Sequence, residues 1–210
     1  MVRLVIVSLL LLVNFVSAQN KAKLSSKKEK VIEITTKFGV VSVICFDATP
    51  KHKENFLKLA ENGFYNGTTF HRVIDNFMIQ GGDPNSKDDN KYNDGQGGPG
   101  YTIEAEIRDT LKHLRGALAA ARMGDDVNPK RESSGSQFYI VQNPNGTPHL
   151  NGAYTVFGKV IKGIEVIDAV AKVKKNRADR PDEDIPMTMK VIILSKKKIN
   201  KLYGTTLPVK

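Results

Sequence analysis

The chain has 210 residues, 40% of them hydrophobic and 26% charged, with seventeen glycines and nine prolines scattered along it. That is enough for one sizeable core, and it excludes a fibrous or low-complexity chain. The formal charge of +10 does not mark a nucleic-acid-binding domain, because residues 31–195 carry 21 basic and 21 acidic side chains, which cancel.

The excess sits at the ends: Lys21, Lys23, Lys27, Lys28 and Lys30 ahead, Lys196, Lys197, Lys198, Lys201 and Lys210 behind, and Arg3 near the start. Arg3, the apolar run from Leu4 to Val13 and the small-residue site Val16-Ser17-Ala18 have the plan of a secretory signal peptide. Cleavage after Ala18 leaves Gln19 as the mature N-terminus. The run is short for a bilayer span, which needs about 20 residues, so a retained anchor is the lesser alternative. The predicted organisation is a signal peptide over 1–18, a basic linker over 19–30, one domain over 31–195 and a basic tail over 196–210. Both basic segments read as solvated, flexible ends that are free to touch anionic surfaces.

Val31 to Thr36 reads as a strand, Phe38-Gly39 as a turn, and Val40 to Phe46 as the antiparallel partner. Cys45 is the only cysteine, so no intrachain disulfide forms; its parity with Val41 and Val43 predicts a small buried hydrophobe. Thr49-Pro50 predicts a helix start with Thr49 as its cap, Phe56, Leu59 and Ala60 share a face, and Asn62-Gly63 ends the helix.

Thr69 to Val73 and Phe77 to Gly81 read as two strands about a turn at Asp75-Asn76. Alternation puts Phe70 and Arg72 on one face, and Met78 and Gln80 together on the next strand. A permanent cation and an amide thus stand among large apolar side chains, with no set of acid, base and nucleophile. Such a site suits a reaction that makes and breaks no covalent bond, such as rotation about an Xaa-Pro peptide. The blander alternative is that Arg72 only pairs with a carboxylate on the wall of the fold.

Residues 81–100 form a long polar loop. Its Gly95-Gln96-Gly97-Gly98 lacks the ending of a phosphate-binding loop, and Asp88, Asp89 and Asp94 do not have calcium-loop spacing. Leu114 to Ala121 is open between helix, by its alanines, and strand, by its neighbours. Gln137–Gln142, Thr155–Ile161 and Met189–Leu194 read as strands, and Gly163–Lys172 as a helix. Without regular strand–helix alternation a doubly wound sheet is excluded; a closed barrel with helices over its mouths fits. Neither a Gly-x-Ser-x-Gly elbow nor zinc-type histidine spacing supports a hydrolase built on His71 or His149.

Phe70-His71-Arg72-Val73-Ile74 with Phe77-Met78-Ile79-Gln80-Gly81-Gly82-Asp83 closely resembles the signature of cyclophilins, the cyclosporin-binding class of peptidyl-prolyl cis-trans isomerases. Gly135-Ser136-Gln137-Phe138-Tyr139-Ile140 resembles the second motif of that family, and Leu150-Asn151-Gly152 with Val156-Phe157-Gly158-Lys159-Val160 the third. The resemblance runs from about Val31 to Leu194. Gly97 to Ile103 looks like bacterial members, which favours the periplasm over the extracellular space or the endoplasmic reticulum lumen.

The resemblance implies an all-β-dominated fold, a closed eight-stranded antiparallel barrel capped by two helices, and makes Leu114–Ala121 a strand. It implies Arg72 and Gln80 as catalytic residues. Phe77, Met78, Tyr139 and Leu150 would line a proline pocket, Ala121, Arg122 and Gln137 would border the peptide groove, and His149 and Tyr154 would flank it. His71 would be structural. Tyr139 replaces a usual phenylalanine, Arg122 a usual asparagine, His149 the tryptophan of cyclosporin-sensitive members, and Tyr154 a usual histidine. Weakened cyclosporin binding with activity retained is therefore expected. No metal or cofactor is called for. The expected partners are flexible proline-containing polypeptides, the expected state is a monomer, and a non-catalytic proline-peptide-binding chaperone of the same fold is the alternative.

Overall fold

The computed structural model describes residues 27–205 and Leu207. The expected signal peptide over 1–18 and most of the expected basic linker over 19–30 lie outside the described residues. Residues 31–192 form one compact unit, and the flanking segments, through Lys30 and from Ile193, form a second.

In chain order the strands are β1 (Lys28–Thr36), β2 (Gly39–Cys45), β3 (Arg72–Ile74), β4 (Met78–Gly81), β5 (Thr102–Ile103), β6 (Ala117–Ala120), β7 (Ser133–Ser134), β8 (Phe138–Val141), β9 (Val156–Lys162) and β10 (Thr188–Ser195). The described helices are α1 (Pro50–Glu61), α2 (Ile164–Ala171) and α3 (Lys196–Tyr203), so there is one more than expected. Eight strands make one sheet in the order β10-β1-β2-β9-β6-β8-β4-β3, while β5 and β7 form a separate ribbon. Beyond the ladder, Phe70 N–H donates to Ile185 O (3.0 Å) and Met187 N–H to Thr68 O (2.8 Å), which ties the segment before β3 to the segment before β10.

The apolar runs of β6 and β8 alternate between two buried faces, which is why neither shows a polar side. Leu118, Ala120, Phe138 and Ile140 face the main core, whereas Ala117, Ala119, Tyr139 and Val141 join Met78 and Val156 in a second cluster. This also explains the ambiguity of 114–121: a strand buried on both faces has no period-two signal. Only Ala117–Ala120 is strand there. The main core closes around Phe138, which meets Phe56, Tyr65 and Phe70 edge-on at 5.3–6.1 Å. Cys45 is buried, as expected, and joins the main core.

Three expectations need correction. Thr49 does not cap α1 with its side chain; its hydroxyl donates to Phe46 O (3.3 Å). The capping group comes from far along the chain: Glu106 accepts from Lys51 N–H (3.2 Å) and His52 N–H (3.0 Å). Phe70 does not share a face with Arg72, because β3 begins only at Arg72 and strand alternation does not reach back to Phe70, which packs in the main core. The tail after 195 does not begin as a flexible end. Ser195 Oγ accepts from Lys198 N–H (3.1 Å), α3 follows, and Gly204 ends it in the left-handed region.

Candidate active site

Arg72 stands opposite Gln80 across the β3–β4 hairpin, and Gln80 stands opposite Tyr139 across the β4–β8 ladder. Two steps of register therefore bring the cation, the amide and an aromatic ring to one face. The Ile74-to-Phe77 connection turns through Asn76, held at φ 59°, and brings Phe77 up beside Met78. Arg72, Phe77, Met78 and Gln80 form one side of a pocket of about 120 Å³; Ala121, Arg122, Tyr139, Leu150 and Tyr154 form the other. That is well below the roughly 300–1,000 Å³ of a cleft for a drug-sized ligand, and it fits one small ring. Ala119, fully buried, packs in one cluster with the pocket residues Met78 and Tyr139.

Arg72 is half-buried, and its Nη1 donates to Gln80 Oε1 at 3.4 Å. Among the described residues it has no carboxylate partner, so the alternative of a wall ion pair does not hold. Gln80 Nε2 donates to Gln137 Oε1 (3.1 Å), and Gln137 Nε2 donates to Gly95 O (3.0 Å) and Gly97 O (2.8 Å). This amide chain orients Gln80 and connects the pocket to a wider groove of about 690 Å³, which Gln137 lines with Ala121 and Arg122.

Arg122 does not offer a free charge. Its Nε donates to Ala153 O (2.9 Å), its Nη1 reaches Asp125 (2.6 Å), and its guanidinium lies 4.4 Å from the centre of the Tyr154 ring. It acts as a rigid wall. His149 does not line the pocket; its ring stacks on Phe77 at 5.8 Å, outside the rim. His71 is buried away from the small pocket, and burial holds its ring below the ordinary imidazole range, against the pull of Asp83 and Asp94.

The sequence and the fold match a known family. The family model described as cyclophilin type peptidyl-prolyl cis-trans isomerase matches residues 31–191. This chain is a cyclophilin. Its relatives include a peptidyl-prolyl cis-trans isomerase of Arabidopsis thaliana, 44% identical over 159 residues that span 73% of this chain and 90% of that one. Peptidyl-prolyl cis-trans isomerase B of Bacillus subtilis is 48% identical over 120 residues, 57% of this chain and 73% of that one. A crystal structure of a Cryptosporidium parvum cyclophilin type peptidyl-prolyl cis-trans isomerase superposes with a TM-score of 0.68 at 33% identity, covering 80% of this chain and 99% of that one. The same protein in the presence of the dipeptide Ala-Pro gives 0.67.

One residue of this cyclophilin's site escaped the sequence. His113 lies behind the pocket, 1% exposed, with Nε2 at 2.9 Å from Tyr139 Oη and Nδ1 at 3.0 Å from Asn151 Oδ1. Asn151 sits within a quoted motif, but nothing in the spacing from 113 to 139 or 151 announces a contact.

Proposed function

We propose that this cyclophilin accelerates cis–trans rotation about Xaa-Pro bonds in exported polypeptides, with Arg72 stabilising the twisted imide. Amide resonance sets a barrier of about 18–20 kcal/mol, and Xaa-Pro bonds isomerise over tens to hundreds of seconds. Lowering that to milliseconds takes about 5–7 kcal/mol. In the twisted state the proline nitrogen loses conjugation and accepts a hydrogen bond, so a donor aimed there favours the transition state over either planar isomer. Arg72 stays charged and presents a fixed fork of donors. Phe77, Met78, Tyr139 and Leu150 grip the ring and exclude water, which strengthens that contact. Gln80 holds the backbone of the substrate.

The observation that carries this reading is the Arg72 guanidinium at the pocket rim with, among the described residues, only the neutral Gln80 as its side-chain partner. NMR exchange on a short Xaa-Pro peptide tests it. Arg72→Ala lowers kcat/KM by about 100-fold or more, the size of losing one preorganised donor, and leaves the unfolding midpoint unchanged. Equal accelerated exchange in the two proteins would defeat the assignment of Arg72, and no acceleration by wild type would favour the proline-binding chaperone.

The same reading takes the eight-stranded sheet as a closed barrel, supported by the hydrogen bonds between 67–70 and 185–187. It takes the protein as an exported monomer, periplasmic by preference, on the strength of the pattern in residues 1–18; N-terminal sequencing that starts at Gln19 checks the processing. Cyclosporin binds weakly, because an imidazole at His149 replaces an indole beside Phe77. An isothermal titration giving nanomolar affinity would sink that expectation.

A further inference from the structure

Behind the pocket runs a buried chain of hydrogen bonds that the reaction, as proposed, leaves unused. Asn151 Oδ1 accepts the His113 backbone N–H at 2.9 Å, which sets the orientation of the Asn151 amide. The same oxygen lies 3.0 Å from His113 Nδ1 and can only accept, so Nδ1 carries the proton and Nε2 presents a lone pair. Tyr139 Oη, 2.9 Å from Nε2, must therefore donate. The imidazole and phenol rings are nearly parallel, 9° apart, and Tyr154 stands edge-on to both. Tyr139 is a wall of the proline pocket and Tyr154 another.

We propose that His113 is a positioning residue for the proline pocket: its neutral ring, anchored by Asn151, holds Tyr139 through Oη and keeps the aromatic wall in the shape that grips proline. The inference rests on the isomerase reading above. A protonated His113 would donate from Nε2, which turns the Tyr139 hydroxyl round and leaves its hydrogen without an acceptor in an apolar wall. The wall then loses its tie, and a cation is buried behind it.

The groups that face His113 are Tyr139 from β8, His149 from the 148–150 turn, Tyr154 ahead of β9 and, across the Tyr154 ring, Arg122. None of these is a carboxylate that would favour the charged ring. Burial, reinforced by His149 and opposed by Asn151, holds His113 below the ordinary imidazole range, so it is neutral at pH 7. The wall is intact there and loosens in acid.

The test is kcat/KM for a short Xaa-Pro peptide at pH 7.5 and pH 5.0, in wild type, Tyr139→Phe and His113→Gln, with each protein referred to its own value at pH 7.5. Wild type should fall about two- to ten-fold in acid, the worth of one neutral hydrogen bond. Tyr139→Phe has no hydroxyl and His113→Gln has no titrating ring, so both should lose that fall. His149 is present in both wild type and Tyr139→Phe, so their difference belongs to the His113–Tyr139 contact. A flat wild-type profile, or a parallel fall in Tyr139→Phe, overturns the proposal.

A readout free of turnover separates it from the isomerase reading. In histidine-ring NMR, Tyr139→Phe removes a donor that favours the neutral ring, so the His113 pKa should rise. An unchanged His113 pKa overturns the proposal, whereas an absence of peptide exchange in wild type at pH 7.5 overturns the isomerase reading alone.

Discussion

A guanidinium at a pocket rim is useful in proportion to how little else holds it. Among the described residues Arg72 keeps one side-chain hydrogen bond, to a neutral amide at 3.4 Å, while Arg122 in the same pocket is tied to Asp125, to Ala153 O and to the face of Tyr154. Two arginines in one hollow thus do different work, and only their partners distinguish them. Arg72→Lys keeps the charge but gives up the planar fork, so kcat/KM should drop by about ten-fold or more with the fold intact, measured by the same peptide exchange. Arg72, Phe77, Met78 and Gln80 were legible because they crowd into one short run. The work of Arg122 and the existence of the His113 contact were not, since both depend on partners brought in by other strands.

At the scale of elements, α1 begins with no acidic residue in its first turn and no side-chain cap of its own. Glu106 supplies both functions from the segment after β5, accepting two backbone N–H groups and the His52 ring at 2.7 Å. Burial alone would raise the Glu106 pKa, but these donors outweigh it and hold the carboxyl below the ordinary range. Glu106→Gln keeps the shape and removes the charge at the positive helix end, so it should cost about 1–2 kcal/mol, read as a lower urea midpoint. The start of α1 at Thr49-Pro50 was legible; the real cap was not, because it arrives from 55 residues away. The reverse failure occurred at α3, where Ser195 and Gly204 bracket the helix with ordinary cap residues that the lysine count obscured.

Across the whole molecule, the core and the pocket share β6 and β8, whose alternate side chains feed one and then the other. Burial inside this double-faced arrangement keeps His71 and His113 neutral, with pKa values held down. In the unfolded chain both would titrate near about 6.5. As pH falls below that value the unfolded state takes up protons first, so stability is complete above it, declines with acid toward each folded pKa, and then levels. The urea midpoint should accordingly be lower at pH 5.0 than at pH 7.5, and His113→Gln should reduce that difference.

The sequence by itself determined the family, through the resemblance of its short contiguous motifs, and the β1–β2 and β3–β4 hairpins and the helices α1 and α2, through local periodicity and turn chemistry; the same resemblance pointed to residues that line the pocket. Only the tertiary structure decided which face Phe70 takes, how much of 114–121 is strand, that Arg122 is immobilised and that Tyr139 leans on His113. Those outcomes depend on what is packed opposite, and a partner that folding delivers from tens of residues away leaves no mark on the local pattern.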